Sequence, residues 1–146
     1  MPLDRDQLLS MSQAQLDALF TASEPGAIPN GQAKGTAIIA PGTTFSHEIA
    51  EIVNVFAWQG KTFDGPHGVL TNRILPFGIN AIVAEVYPDA SWFDQKPCIA
   101  LDYSKTSMLA HWIRDEIRCI EPNLYLGIVF WEKRRLIDFC LEFEQP

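Results

Sequence analysis

The chain has 146 residues, 47% hydrophobic and 20% charged, a composition typical of one soluble globular domain rather than of a disordered or fibrous protein. Its formal net charge of −7 argues against a non-specific nucleic-acid binder and against a protein that binds anionic membrane surfaces, because both need a basic face. Acidic residues near the N-terminus and the lack of any long apolar run argue against a signal peptide and a membrane-spanning helix, so we expect a cytoplasmic protein.

Two helices are predicted in the first part of the chain. Apolar residues recur at helical intervals over Asp4–Ala22, and Ser12 offers a capped restart within that range. Residues 23–35 are rich in proline and glycine and are predicted to form a linker or loop. A second helix is predicted over residues 44–56, where an apolar stripe follows a threonine or serine cap.

The rest of the chain consists of short runs of branched and aromatic residues, which are predicted to be strands. These runs are Thr36–Ala40, Trp58–Phe63, Val69–Leu75, Ile79–Tyr87, Pro97–Tyr103, Arg114–Ile120, Leu124–Trp131 and Leu136–Phe143. The last two are predicted to form a hairpin, with Glu132–Arg135 as a polar reversal. Residues 105–120 fit both a helix and a strand, but the tight turn at Glu121–Asn123 favours a short helix followed by a strand over 114–120.

Seven or eight short strands, two early helices and no regular alternation of strand and helix predict an α+β fold. We expect an antiparallel β-barrel of seven or eight strands, with two or three helices that plug one end. The chain is then a single domain over residues 1–146, with an N-terminal helix and linker over 1–32 and the barrel over 33–146.

Five segments share a pattern with known proteins. They are WQGKTF at Trp58–Phe63, NRILPFG at Asn72–Gly78, RDEIR at Arg114–Arg118, YLG at Tyr125–Gly127 and the closing strand that ends at Phe143. Together they resemble segments of small, mostly uncharacterised bacterial proteins that are lipocalin-like or calycin-like. This resemblance spans residues 33–143 and implies a barrel with a cavity for an apolar ligand, but it carries over no catalytic residue.

Motifs for metals, phosphates and activated nucleophiles are missing. The segment His47–Glu51 begins like the helix of a zinc protease, but Glu51 stands where the second histidine is required. The chain has neither a GxxxxGK[ST] phosphate loop nor a GxSxG nucleophile elbow. We therefore expect no metal and no cofactor.

Polar residues embedded in apolar strands are the remaining candidates for a site, because burial inside a barrel is costly unless such groups are paired. If residues 114–120 form a strand, Asp115 shares the inward face of Ile113 and Ile117, and burial would raise the pKa of its carboxyl. The candidate catalytic residues are Asp115, Tyr125, Tyr103 and Arg114, with Asp115 and Tyr125 as the leading pair. The candidate ligand-binding residues are Trp58, Lys61, Asn72, Phe77, Trp112 and Trp131.

Purely structural roles remain open for the same side chains. Arg114, Glu116 and Arg118 would also suit ion pairs on a solvated face of the sheet. The tyrosines and tryptophans would also suit the core, the tyrosines with their hydroxyl groups reaching water.

Three functions fit this pattern. The first is a cofactor-independent enzyme, such as a cyclase, isomerase or lyase, that acts through a carboxylate and a phenol on a polyketide, terpenoid or fatty-acid-like molecule. The second is a carrier that binds the same apolar or amphipathic molecules unchanged. The third is an interaction module that docks a protein through an exposed strand edge or the Trp92–Phe93 loop. The oligomeric state stays open, with a homodimer among the options.

Overall fold

The computed structural model describes residues 3–38, 61–74, 79–105 and 112–144. Two α-helices, a short 3₁₀ helix at Gly65–His67 and eight strands lie within these ranges. The helices are α1 (Arg5–Leu9) and α2 (Gln13–Ala22). The strands are β1 (Gly31–Ile38), β2 (Lys61–Asp64), β3 (Val69–Ile74), β4 (Ile79–Ala90), β5 (Pro97–Asp102), β6 (Ile113–Glu121), β7 (Leu124–Trp131) and β8 (Arg134–Phe143).

The eight strands form one closed antiparallel barrel in chain order. Each strand pairs with the next, and β1 closes the ring by pairing with β8 from Ala33↔Phe143 to Ile38↔Asp138. The predicted α+β fold, with an antiparallel barrel of seven or eight strands and two or three helices, is confirmed with eight strands and two α-helices in the described ranges. The closed ring leaves no open edge among these strands.

The predicted N-terminal helix is divided into two short helices. Asp4 caps α1 and Ser12 caps α2, and each side chain accepts a hydrogen bond from a backbone N–H in the first turn, at Gln7 and Gln15 respectively. Both glutamine side chains bond back to the backbone of the capping residue, which completes a capping box at each helix. The restart predicted at Ser12 is therefore observed.

Both helices pack against the outer wall of the barrel, and the prediction that they plug one end is wrong for α1 and α2. Leu8, Leu16 and Phe20 are the fully buried residues of the two helices. They share one core cluster with Ile38, Leu124, Leu126, Ile128, Phe130 and Cys140. Strand β7 is therefore covered on both faces, which explains its nearly continuous apolar sequence.

Two boundaries differ from the prediction. Strand β1 begins at Gly31 rather than Thr36, because Gly31–Ala33 pair with β2 and the residues from Ala33 onward pair with β8. This tertiary pairing outweighs the weak strand preference of glycine and lysine. The reversal before β8 needs only Glu132 and Lys133, whose φ angles of 49° and 70° suit a two-residue hairpin turn.

Strand β6 covers Ile113–Glu121, so the strand predicted over residues 114–120 is confirmed. Residues 106–111, which belong to the short helix predicted before it, lie outside the described residues. The helix predicted over residues 44–56 lies outside them as well.

The inward side chains form the main core. Its members are Ala33, Phe63, Leu70, Ala84, Val86, Ile99, Leu101, Tyr103, Ile113, Ile117, Tyr125, Val129, Ile137, Phe139 and Leu141. In the middle of the barrel the ring of Phe139 lies over Gly127, where a Cβ atom would overlap that ring. Glycine is therefore required at this position if the ring of Phe139 is to cross the interior.

We call the two ends of the barrel the Tyr103 end and the Tyr125 end. The Tyr103 end is where β1, β3, β5 and β7 finish and the even-numbered strands begin. The Tyr125 end is the opposite one, where β6 finishes and β7 begins.

Candidate active site

Three ionisable side chains, those of Lys61, Asp115 and Tyr103, are buried inside the barrel near its Tyr103 end. Lys61 is the first residue of β2, and Asp115 lies near the start of β6. Strands β2 and β6 are four places apart in a ring of eight, so they stand on opposite sides of the interior. Lys61 is 2% exposed, Asp115 3% and Tyr103 0%. The lysine and the carboxylate therefore face each other across an apolar core.

The carboxylate of Asp115 has one oxygen bonded and one without a donor. Alternation along β6 places this residue inward, on the same face as Ile113 and Ile117. Its Oδ2 atom accepts a hydrogen bond from the Tyr103 hydroxyl at 3.3 Å. Its Oδ1 atom is buried and receives no hydrogen bond from any residue that the structure describes. A buried polar atom of this kind is costly, so its position calls for a functional explanation.

Burial shifts the pKa values of both charged groups toward neutral pH. Loss of hydration raises the pKa of Asp115 to about 6, although the charge of Lys61 and the hydrogen bond from Tyr103 act in the opposite direction. Loss of hydration lowers the pKa of Lys61 to about 8, although the Asp115 carboxylate favours the charged amine. A carboxyl and an amine with these pKa values can both exchange protons near neutral pH.

The three side chains have complementary chemistry. The carboxylate of Asp115 can accept a proton, while the Tyr103 hydroxyl and the Lys61 ammonium can donate hydrogen bonds to an oxygen atom that becomes negative. Such hydrogen bonds are stronger in an apolar interior than in water. The arrangement can therefore perform acid–base chemistry on a small molecule without a cofactor.

The interior wall formed by β1 carries only small side chains. Ala33, Gly35 and Ala37 alternate along the inward face of this strand. Ala33 pairs with Lys61 in the β1–β2 ladder, so the first of these small residues lies beside the lysine. An eight-stranded barrel has an interior that side chains can fill or that can hold one small ligand, and small residues on one wall favour the second.

Tyr125 lies inside the barrel but far from Asp115. It pairs with Cys119 in the β6–β7 ladder, and Cys119 is four residues beyond Asp115, roughly 13 Å along the strand. The Tyr125 hydroxyl donates a hydrogen bond of 2.6 Å to the carbonyl oxygen of Ala27. The pair of Asp115 and Tyr125 that the sequence suggested is therefore not formed, and Tyr103 holds the position beside the carboxylate.

Arg114 points to the outside of the barrel, because neighbours along a strand face opposite ways. Its guanidinium donates to Oδ2 of Asp89 at 2.8 Å and to the carbonyl oxygen of Ala90 at 2.9 Å. It also lies 4.5 Å from the ring centre of Trp92 and pairs with Glu116. The structure thus does not bring Arg114 to the interior site.

The charged residues on the outer face of β6 are paired but buried, which corrects the prediction of a solvated face. Arg118 is 0% exposed and donates to both carboxylate oxygens of Asp94 at 2.7 Å. It also donates to the carbonyl oxygen of Phe20 at 2.7 Å, which ties β6 to α2. Glu116 accepts hydrogen bonds from the Ser91 hydroxyl and the Trp92 backbone N–H. These contacts hold the β4–β5 connection against the outer wall.

The residues predicted to bind a ligand have different positions. Lys61 lies in the site, and Asn72 is its partner in the β2–β3 ladder. Trp131 is partly buried against the inner core at the Tyr103 end, whereas Trp112 is 49% exposed. Trp58 and Phe77 lie outside the described residues.

The sequence could not predict that Lys61 and Asp115 face each other across the interior of the barrel. Both residues were candidates, but one was assigned to ligand binding and the other to catalysis. Their meeting depends on the number of strands between them around the ring, and no local pattern carries that number.

A second concave region lies at the Tyr125 end. It is a cleft of about 330 Å³ lined by Pro29, Asn30, Asn123, Tyr125, Phe143 and Glu144. Within the described parts of the chain, no group of three or more His, Cys, Asp and Glu side chains could hold a metal ion.

The fold and the site define a class of protein, a closed eight-stranded antiparallel barrel with a buried acid–base cluster in its interior. A protein from Thermomonospora curvata, known from its crystal structure, is similar to this chain with a TM-score of 0.63 and 16% sequence identity. The similarity covers 93% of this chain and 90% of that one, and at this identity it shows the fold alone. No family model and no curated protein matches the chain. None of the described helices is long and apolar enough to cross a membrane.

Proposed function

We propose that this protein is a cofactor-independent enzyme that transfers a proton within a hydrophobic small molecule bound inside the barrel. Asp115 is the general base, and Tyr103 and Lys61 stabilise the negative charge that develops on the substrate. Polyketide, terpenoid and fatty-acid-like compounds that carry a carbonyl group are the substrate class.

The first step is the same for each reaction type. Asp115 removes a proton from the carbon next to the carbonyl group, and the electron pair moves onto the carbonyl oxygen. The resulting enolate accepts hydrogen bonds from the Tyr103 hydroxyl and the Lys61 ammonium. The product depends on the substrate, since the enolate has three possible fates.

Where the enolate is conjugated with a carbon–carbon double bond, return of the proton from Asp115 to the γ-carbon shifts that double bond and gives an isomer. Loss of a β-hydroxyl group, with the Asp115 proton transferred to the departing oxygen, gives an alkene and water. Attack of the enolate carbon on a second carbonyl group of the same molecule closes a ring, and the Asp115 proton then goes to the new alkoxide. Each route regenerates the carboxylate.

The observation that carries this proposal is the state of Asp115. Its carboxylate is buried among apolar side chains, its pKa is raised to about 6 and its Oδ1 atom has no donor among the described residues. A structural carboxylate is normally bonded through both oxygens, whereas a catalytic base needs one oxygen open to its substrate.

Native mass spectrometry of the purified protein tests the proposal. Any small molecule that accompanies the protein is extracted, identified and incubated again with wild type and with Asp115→Asn. We expect wild type to convert the compound and Asp115→Asn to bind it but convert it at least 100-fold more slowly, which is the usual size of a general-base contribution. Equal conversion by both proteins would contradict the role of Asp115.

A carrier of the same class of molecule is the second candidate. It is favoured by the outward direction of Arg114 and the distant position of Tyr125, because neither side chain joins Lys61, Asp115 and Tyr103 in the interior site. A compound that is bound by wild type and Asp115→Asn and stays unchanged with both would support this function.

An interaction module that docks a protein partner is the third candidate, and only one of its two expected features is present in the described residues. The described strands have no open edge, and the ring of Phe93 packs against Phe20 and Arg135. Trp92 is 42% exposed and remains the feature that favours a protein partner. The calycin-like relationship, the cytoplasmic location and a homodimer belong with these proposals.

A further inference from the structure

We infer that the interior site takes a neutral, hydrophobic molecule that carries a hydroxyl group, and that this hydroxyl donates a hydrogen bond to Oδ1 of Asp115. This inference names the chemistry of the ligand for the proposed function and rests on the same site.

The need for a donor follows from the hydrogen bonding of Asp115. Its Oδ2 atom already accepts a bond from Tyr103, and its buried Oδ1 atom accepts none from the described residues. A carboxylate oxygen forms strong bonds with O–H and N–H donors, and a ligand that supplies one removes the cost of the unsatisfied atom.

The charge of the site favours a neutral ligand. Lys61 and Asp115 carry opposite charges and oppose each other across the interior. An anionic ligand that approaches Oδ1 would meet the negative carboxylate in an apolar medium, and a cationic one would meet the ammonium. A neutral donor avoids both penalties.

A hydroxyl group suits the site better than an amide N–H, because the same atom both donates and accepts. Its proton can bond Oδ1 of Asp115, while its oxygen can accept from the Lys61 ammonium, which has three N–H donors. The inward side chains of Ile113 and Trp131, between Asp115 and the Tyr103 end, offer apolar contacts for the rest of the molecule.

Three probes of one shape test the inference with the full-length wild-type protein at neutral pH. Equilibrium dialysis measures the binding of naphthol, naphthalene and naphthoate. We expect naphthol to bind about tenfold or more tightly than naphthalene, which corresponds to one hydrogen bond to a charged group, and naphthoate to bind most weakly. Octanol and octanoate repeat the comparison with a narrower molecule.

Two variants locate the effect. Asp115→Asn removes the charge, so the preference for naphthol over naphthalene should fall by about fivefold or more. Asp138→Asn is the matched control, because Asp138 is also a buried carboxylate but lies on the outer face with Gln13 and Arg135. This control should keep the preference of wild type.

The inference is overturned if neither naphthol nor octanol binds, if naphthol and naphthalene bind equally, or if naphthoate binds best. Because these measurements use wild type, they remain decisive even if Asp115→Asn does not fold. A clear hydroxyl preference with no conversion of any bound compound would refute the enzyme and leave this inference intact. Conversion of a compound without a hydroxyl group, with no preference among the probes, would support the enzyme and refute this inference.

Discussion

At the scale of single residues, the buried Lys61 and Asp115 reduce the stability of the fold near neutral pH. Burial raises the pKa of Asp115 and lowers the pKa of Lys61, so desolvation outweighs the attraction between the two charges. A core of apolar side chains at these positions would be more stable. Retention of the charges is therefore consistent with a functional role for them.

The pH dependence of stability is the first prediction at this scale. Between its unfolded pKa of 3.8 and its folded pKa of about 6, Asp115 binds more protons in the folded protein than in the unfolded chain. The free energy of unfolding of wild type, relative to Asp115→Asn, should therefore fall by about 1–3 kcal/mol as the pH rises through this window.

Urea unfolding of both proteins across the window measures this difference. In Tyr103→Phe, the loss of the hydroxyl removes a bond that favours the charged carboxylate, so the fall should extend to higher pH. A difference between wild type and Asp115→Asn that does not change with pH would contradict the prediction.

Replacement of both charges is the second prediction. The double variant Lys61→Met with Asp115→Leu should be more stable than wild type by about 1–4 kcal/mol at neutral pH, because both desolvation costs disappear. Each single variant should be less stable than the double variant, since it leaves one charge without its opposite. Chemical denaturation of the four proteins in parallel tests this order. A double variant that is less stable than wild type would show that the pair stabilises the fold.

At the scale of elements, the outer face of β6 is the surface that fixes α2 and the β4–β5 connection. Arg118 bonds Asp94, the carbonyl oxygen of Phe20 and the backbone of Lys96 and Pro97. Its bond with Asp94 also lowers the pKa of that carboxyl to about 2. A single arginine thus joins a strand, a helix end and a loop.

The prediction at the scale of elements concerns the replacement of Arg118 by an uncharged side chain. Arg118→Met should destabilise the protein by about 3–5 kcal/mol, because it leaves backbone oxygens and a carboxylate without their partner in a buried position. The matched control is Arg5→Met, whose partly exposed arginine lies 3.7 Å from Glu142, and it should cost less than about 1 kcal/mol. Thermal and urea unfolding compare the two. Similar losses for both variants would refute the special role of Arg118.

At the scale of the whole molecule, the barrel is closed but unevenly covered. Strand β7 is apolar on both faces and packs against the inner core and the helices. Strand β2 has four described residues, and they alternate between buried and exposed positions. Stability should therefore be highest around β7 and lowest around β2.

Native-state hydrogen exchange tests this distribution. We expect the central amides of β7 to exchange only on global unfolding, and the amides of β2 to exchange through smaller local openings with lower free energy. Addition of a ligand for the interior site should slow exchange in β2, because Lys61 begins that strand. Equal protection of β2 and β7 would contradict the expected order.

Much of the fold followed from local patterns in the sequence. The period of two in β8, the capping residues Asp4 and Ser12, and the turn before Leu124 depend on neighbours in the chain, so composition and spacing were sufficient to predict them. The inward direction expected of Asp115 followed in the same way from alternation along β6.

Other features were decided by the tertiary structure alone. Gly31–Gly35 joins the sheet because two strands distant in sequence pair with it, and the charged face of β6 is buried because α2 and the β4–β5 connection cover it. Lys61 opposes Asp115 because their strands are four places apart in the closed ring, and Tyr103 replaces Tyr125 because register sets the depth of each residue. The sequence by itself determined which strands form and which way their side chains point. Pairing, closure and register, which join residues far apart in the chain, determined which of those side chains meet.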